Sequence, residues 1–89
     1  MAEIRWLRCK VGKGMFATEA VVVVNLANGK EMAFFVPIDQ VEPTPEVRQE
    51  LDGRVRVLIQ RLEDGAWATI PAPQPAVVPV QDDDLLKVA

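Results

Sequence analysis

Two apolar runs joined by Ala27-Asn28-Gly29 constrain this chain more than any other feature. Phe16–Leu26 and Lys30–Ile38 are rich in Val and Phe. The join supplies Gly29, which takes a positive φ without steric cost, after Asn28, which suits the preceding turn position. The pattern therefore predicts an antiparallel hairpin, and it chooses the register. A two-residue loop at Asn28-Gly29 would set Asn25 against Met32 and Leu26 against Glu31. A three-residue loop, with Gly29 in the left-handed position of a bulge, sets Leu26 against Lys30. It also pairs Val24 with Met32, Val22 with Phe34 and Ala20 with Val36. Apolar residues then match on one face, so the three-residue loop is expected.

That register leaves Val21 against Phe35 and Val23 against Ala33 on the other face. A sheet with one wet face alternates apolar and polar residues, and this hairpin does not. Either another part of the chain covers Val21, Val23, Ala33 and Phe35, or another molecule does.

A second hairpin is expected downstream. Val55, Val57 and Ile59 alternate with Arg54 and Arg56, and Asp64-Gly65 offers a two-residue turn into Ala66–Ile70. That turn would place Ile59 opposite Ile70 and Leu62 opposite Trp67. Ile4–Val11 reads as a first strand ended by Gly12 and Gly14, with its register left open by the adjacent Trp6 and Leu7. Between the hairpins, Thr44 as N-cap, Pro45 at the first helical position and Gly53 as a stop predict one short helix or pair of turns, with Val47 and Leu51 turned to the core. Pro71, Pro73, Pro75 and Pro79 favour an extended path, and Val77–Val80 could form an edge strand before Asp82-Asp83-Asp84. No internal repeat is visible in the sequence.

The expected architecture is all-β: a small barrel or strongly bent antiparallel sheet of five to six strands with one short helix or helical turn. With 89 residues the chain has room for one domain. Residues 1–72 are read as its body and residues 73–89 as a Pro-rich, then acidic, segment that is an edge strand or a tail. The longest unbroken apolar runs, such as Ala20–Val24, fall short of the roughly 20 residues of a membrane span. No signal peptide is read at the N-terminus, and a single cysteine fits a reducing, cytoplasmic setting without disulfides.

Composition narrows the chemistry. The chain has no His, Ser or Tyr, and so lacks the commonest general base, metal ligand and hydroxyl nucleophile. No glycine motif of the phosphate-binding kind is present. Cys9 lies between Arg8 and Lys10, which would favour a thiolate, but with no His partner it reads as a small buried apolar residue. Asp82, Asp83 and Asp84 carry the charge of a cation site, yet consecutive residues on an extended chain point to different sides. The expectation is a protein that is no enzyme and holds no metal or cofactor.

Two binding surfaces remain. The leading one is the Val21, Val23, Ala33 and Phe35 face, as a contact for a protein partner or a second copy in a homodimer. The alternative is a nucleic-acid surface in which Arg5, Arg8, Lys10, Arg54 and Arg56 meet phosphates and Trp6, Phe16 or Trp67 stacks on bases. The net charge of −3 weighs against it. The charge is also uneven: residues 1–30 carry five basic and two acidic side chains, and residues 63–89 one and five.

Overall fold

A computed structural model of the protein describes residues 2–46 and 49–86. Among these residues, eight strands form one antiparallel sheet that curls into a half-barrel. They are β1 (Glu3–Lys13), β2 (Glu19–Asn25), β3 (Glu31–Pro37), β4 (Val41–Glu42), β5 (Leu51–Leu62), β6 (Gly65–Ile70), β7 (Ala76–Val80) and β8 (Leu85–Leu86). Hydrogen bonding orders the longer strands β3-β2-β1-β5-β6-β7. The two short ones fill in beside the centre, β4 against β5 and β8 against β1. The fold class expected from the sequence is the one observed.

The alternation of side chains explains the core. On β1, Leu7, Cys9 and Val11 face inward while Trp6, Arg8 and Lys10 face outward, which resolves the ambiguity at Trp6 and Leu7. On β5, Val55, Val57 and Ile59 are buried and Arg54 and Arg56 are not. The concave face collects these with Ala20, Val22, Val24, Val36, Ala66, Ala68, Ile70, Val78 and Val80. Among the described residues no polar or charged side chain is buried, so nothing in the core needs a buried hydrogen-bond partner.

The first hairpin has the expected register. Val21 faces Phe35, Val22 faces Phe34 and Val24 faces Met32. The Leu26 amide donates to the Lys30 carbonyl at 2.7 Å, and Gly29 has φ of 87°. The strands are shorter than the apolar runs, since Phe16 lies in the turn before β2.

Three expectations are corrected. The second hairpin turns at Glu63-Asp64, one residue earlier than expected, so that Leu62 faces Gly65, Ile59 faces Ala68 and Gln60 faces Trp67. Gly65 closes the ladder at φ 126°, a backbone state that glycine adopts at little cost, and the Trp67 indole N–H holds the turn by donating to Asp64 at 2.9 Å. The pairing slides by two residues, so each side chain keeps its face. Among the described residues no α-helix forms between the hairpins. Thr44–Glu46 are not helical, and Leu51, Asp52 and Gly53 belong to β5, opposite Val11, Lys10 and Cys9. Val47 lies outside the described residues. Gly53 serves a close approach instead of a helix stop: a Cβ there would fall 2.5 Å from the Glu42 carbonyl oxygen and 2.8 Å from Val11 Cγ2. Among the described residues the helical element consists of two 3-10 turns, Ile38–Gln40 and Asp82–Asp84.

The third correction concerns repeats. The chain folds as two equivalent halves, β1-β2-β3-turn-β4 and β5-β6-β7-turn-β8. Adding 48 to a β1 residue number gives its β5 equivalent. The offset is 46 from β2 to β6, and 44 from β3, its 3-10 turn and β4 to β7, the second turn and β8. Each half lends its two-residue strand to the other: Val41 pairs with Val55, and Leu85 pairs with Leu7. Leu7 and Val55 are equivalents and lie directly opposite one another, so the pseudo-two-fold axis of the pairing pattern passes through them.

Candidate interaction face

The outer face of the sheet divides into an apolar and a basic region. The apolar region is carried by β2 and β3. Val21 and Val23 are half-buried, whereas Ala33 is exposed and Phe35 is 46% exposed. No described element covers them. The Pro-rich segment, one candidate cover, is built into the sheet as β7 at the opposite end of the strand order. Met15 extends the region. It lies with Lys13, Gly14, Val21 and Phe35 around one hollow and is 77% exposed. Phe16, in the same turn, is 66% exposed.

Met15 and its turn were missed in the sequence. Gly14 and Glu19 bracket the turn, with Gly14 donating to the Glu19 carbonyl at 3.2 Å. Two large apolar residues between such brackets are a signal that composition alone does not weigh, because Phe16 reads equally well as the first residue of a strand.

The basic region lies over the axis. Outward residues pair across β1 and β5 as Trp6 with Arg56, Arg8 with Arg54 and Lys10 with Asp52. Arg54 lies 4.4 Å and Arg56 5.1 Å from the Trp6 ring centre, both in cation–π range. Arg54 also donates through Nε and a terminal nitrogen to Glu42 at 3.1 and 2.6 Å. Lys10 donates to Asp52 at 2.6 Å. This hydrogen bond, reinforced by the opposite charges, raises the Lys10 pKa and lowers that of Asp52. Arg8, directly opposite Arg54, makes no ion pair among the described residues.

The structure thus gathers Arg8, Lys10, Arg54 and Arg56 on one surface and separates Arg5 from them. Arg5 has the inward parity of Leu7, and its guanidinium donates to the Leu86 carbonyl at 3.3 Å and to Glu3 at 3.1 Å. It fastens β8 to the sheet. Trp67 lies on β6 with its indole tied to Asp64, and Phe16 lies at the apolar end, so the three aromatic candidates for base stacking do not form one platform. Asp82 is engaged by Arg61 at 2.6 Å. Cys9 is buried opposite Gly53, and burial pushes its thiol up to about 12.

Chemically, the apolar region can exclude water against a complementary surface, and the basic region can hold anions through Arg8 and Arg56, while Lys10 and Arg54 would do so in competition with Asp52 and Glu42. Comparison with known protein families, with curated proteins and with solved structures finds no match for this chain.

Proposed function

We propose that this protein is a non-enzymatic β half-barrel that works as a binding and assembly module through protein contacts, first with copies of itself. One observation carries the reading: the Val21–Phe35 pair and Met15 form an apolar surface that no described part of the chain covers. Contiguous exposed apolar surface on a protein of this size marks a contact site. Aromatic residues at the centre of such sites carry much of the binding energy.

The test is a concentration series by light scattering on a sizing column, with wild type beside Val21→Lys and Phe35→Glu. Wild type self-associates, and Phe35→Glu weakens association about thirtyfold, the equivalent of the ~2 kcal/mol of a central aromatic anchor. Both variants keep the wild-type circular dichroism spectrum. Unfolded variants would make these residues core, and unchanged association would remove the face from the interface.

A second reading is supported by the arginines over the axis. Like charges directly opposite on a sheet are unfavourable, so the Arg8–Arg54 pair suggests a phosphate-bearing partner, with Lys10 and Arg56 beside it. It ranks second because Glu42 and Asp52 already neutralise Arg54 and Lys10. Binding of a single-stranded oligonucleotide at low salt, weakening steeply as salt rises, is its signature. Absence of binding at low salt removes it.

A further inference from the structure

The two halves are equivalent in pairing but differ at their outermost strands, and the difference identifies one open edge. β7 is guarded. Pro79 lacks an N–H, its carbonyl is taken by the Ala27 amide at 2.9 Å, and Gln81 donates to the Ala27 carbonyl at 3.2 Å. β3, its equivalent, carries Phe35 where β7 has Pro79. Its outer edge pairs with nothing among the described residues.

The free groups on that edge can be assigned. The Leu26–Lys30 pair is hydrogen-bonded, and in an antiparallel ladder bonded and non-bonded pairs alternate. Met32, Phe34 and Val36 therefore bond inward to β2. The amides and carbonyls of Glu31, Ala33 and Phe35, and the Pro37 carbonyl, point to the open edge. An unpaired edge of this kind, on a strand reading Met-Ala-Phe-Phe-Val, is a template for another strand.

Resting on the assembly reading above, we infer that β3 pairs antiparallel with β3 of a second copy about a two-fold axis at Phe34. A two-fold pairing requires opposed residues to share a face, and this one does so while matching apolar groups. Ala33 faces the partner's Phe35, Met32 faces the partner's Val36, and Glu31 faces the partner's Pro37. Large sits against small on the outer face, and no charged residue meets a like charge. The row Val21, Phe35, the partner's Ala33 and the partner's Val23 becomes one apolar stripe across four strands. A second copy is favoured over an open filament because growth beyond a pair would need the β7 edge, which Pro79 and Ala27 block. Pairing of β3 with itself closes after two copies.

The experiment is the mass in solution of the full chain and of Ala33→Pro. The Ala33 amide points away from β2, so proline there removes an edge donor and no bond of the β2–β3 ladder. Wild type runs at twice 9.9 kDa, and Ala33→Pro runs as a folded monomer. A wild-type monomer throughout the concentration series overturns the inference, as does a dimeric Ala33→Pro. In the second case, loss of association in Phe35→Glu alone would keep the face reading and discard the edge pairing. Should Ala33→Pro not fold, amide exchange on wild type decides. Slow exchange at Ala33 and Phe35 that quickens on dilution supports edge pairing, and fast exchange at every concentration overturns it.

Discussion

Cys9 gives the sharpest test of the core, because its burial ties stability to alkaline pH. The side chain is 5% exposed, faces inward beside Val24 and Gly53, and has its thiol pushed up to about 12 by burial. The folded pKa is above the unfolded value near 9.0, so the neutral form is the one the native state retains. The associated stability is fully present below pH 9 and drains away as the unfolded chain, but not the folded one, gives up its proton between pH 9 and 12. At pH 10 the unfolded thiol is about ten-elevenths ionised and the folded one almost wholly protonated. The expected loss relative to pH 7 is about 1.4 kcal/mol. That figure holds for any folded pKa above about 11. For a domain this small it corresponds to a drop of about 6–11 °C in Tm. The measurement is a difference, so that whatever the two proteins share cancels: urea unfolding of wild type and Cys9→Ala at pH 7, 8, 9, 9.5 and 10. Alanine is chosen because a serine hydroxyl would be buried without a partner. The gap between the two proteins should be constant to pH 8 and then change with a slope approaching 1.4 kcal/mol per pH unit. A gap that stays flat to pH 10 would mean that the thiol ionises as freely folded as unfolded, and the inward placement of Cys9 would be wrong.

Other expectations follow from single contacts. Leu7→Ala, at a fully buried position on the pseudo-two-fold axis, should cost about 2–5 kcal/mol by denaturant unfolding. Gly53→Ala should destabilise by about 1–3 kcal/mol, since its Cβ would meet the Glu42 carbonyl oxygen and β4 would have to move; unchanged stability would mean that β4 is not anchored against β5. Gly29→Ala meets no atom within 4 Å, so its cost of about 1–2 kcal/mol should come from the positive φ alone. Arg5→Met should leave global unfolding nearly unchanged yet speed amide exchange in β8, whose Leu86 carbonyl it holds.

What was legible in the sequence followed from the alternation of side chains. The β2–β3 register could be read because Val22, Val24, Phe34 and Val36 allow one apolar match, and the loop length agrees with it. The β5–β6 register could not, because a slide of two residues preserves both faces, and the turn that is formed is marked only by the positive φ of Gly65 and the Trp67–Asp64 hydrogen bond. The helix expected before Gly53 rested on local capping residues. Pairing of Leu51–Gly53 with β1 overrode them, and the need for glycine at position 53 comes from β4, which no local pattern reveals. Of the candidate surfaces, the Val21–Phe35 pair was visible because it breaks the rule that one face should be polar. Its neighbour Met15 was not, since only the folded turn places them together.

The internal symmetry was hidden for a related reason. Among the equivalent positions only Arg8 and Arg56, Ala20 and Ala66, Val36 and Val80, and Asp39 and Asp83 are identical. What the halves share is parity. Counted between equivalent pairs, six residues (14–19) separate Lys13 from its partner Ala20 where four (62–65) separate Arg61 from Ala66, and seven (25–31) separate Val24 from Met32 where five (71–75) separate Ile70 from Ala76. Each difference is two residues, the smallest change that keeps every side chain on its own face. The second half therefore demonstrates that the half-barrel does not need the longer turns. Met15 and Phe16 belong to the extra length of one of them, and both are left in solvent. Phe35 stands where the guarded edge has proline. Met15, Phe16 and Phe35 are departures from symmetry that the fold does not require, all apolar and all on the β2–β3 side, as a contact surface would leave behind.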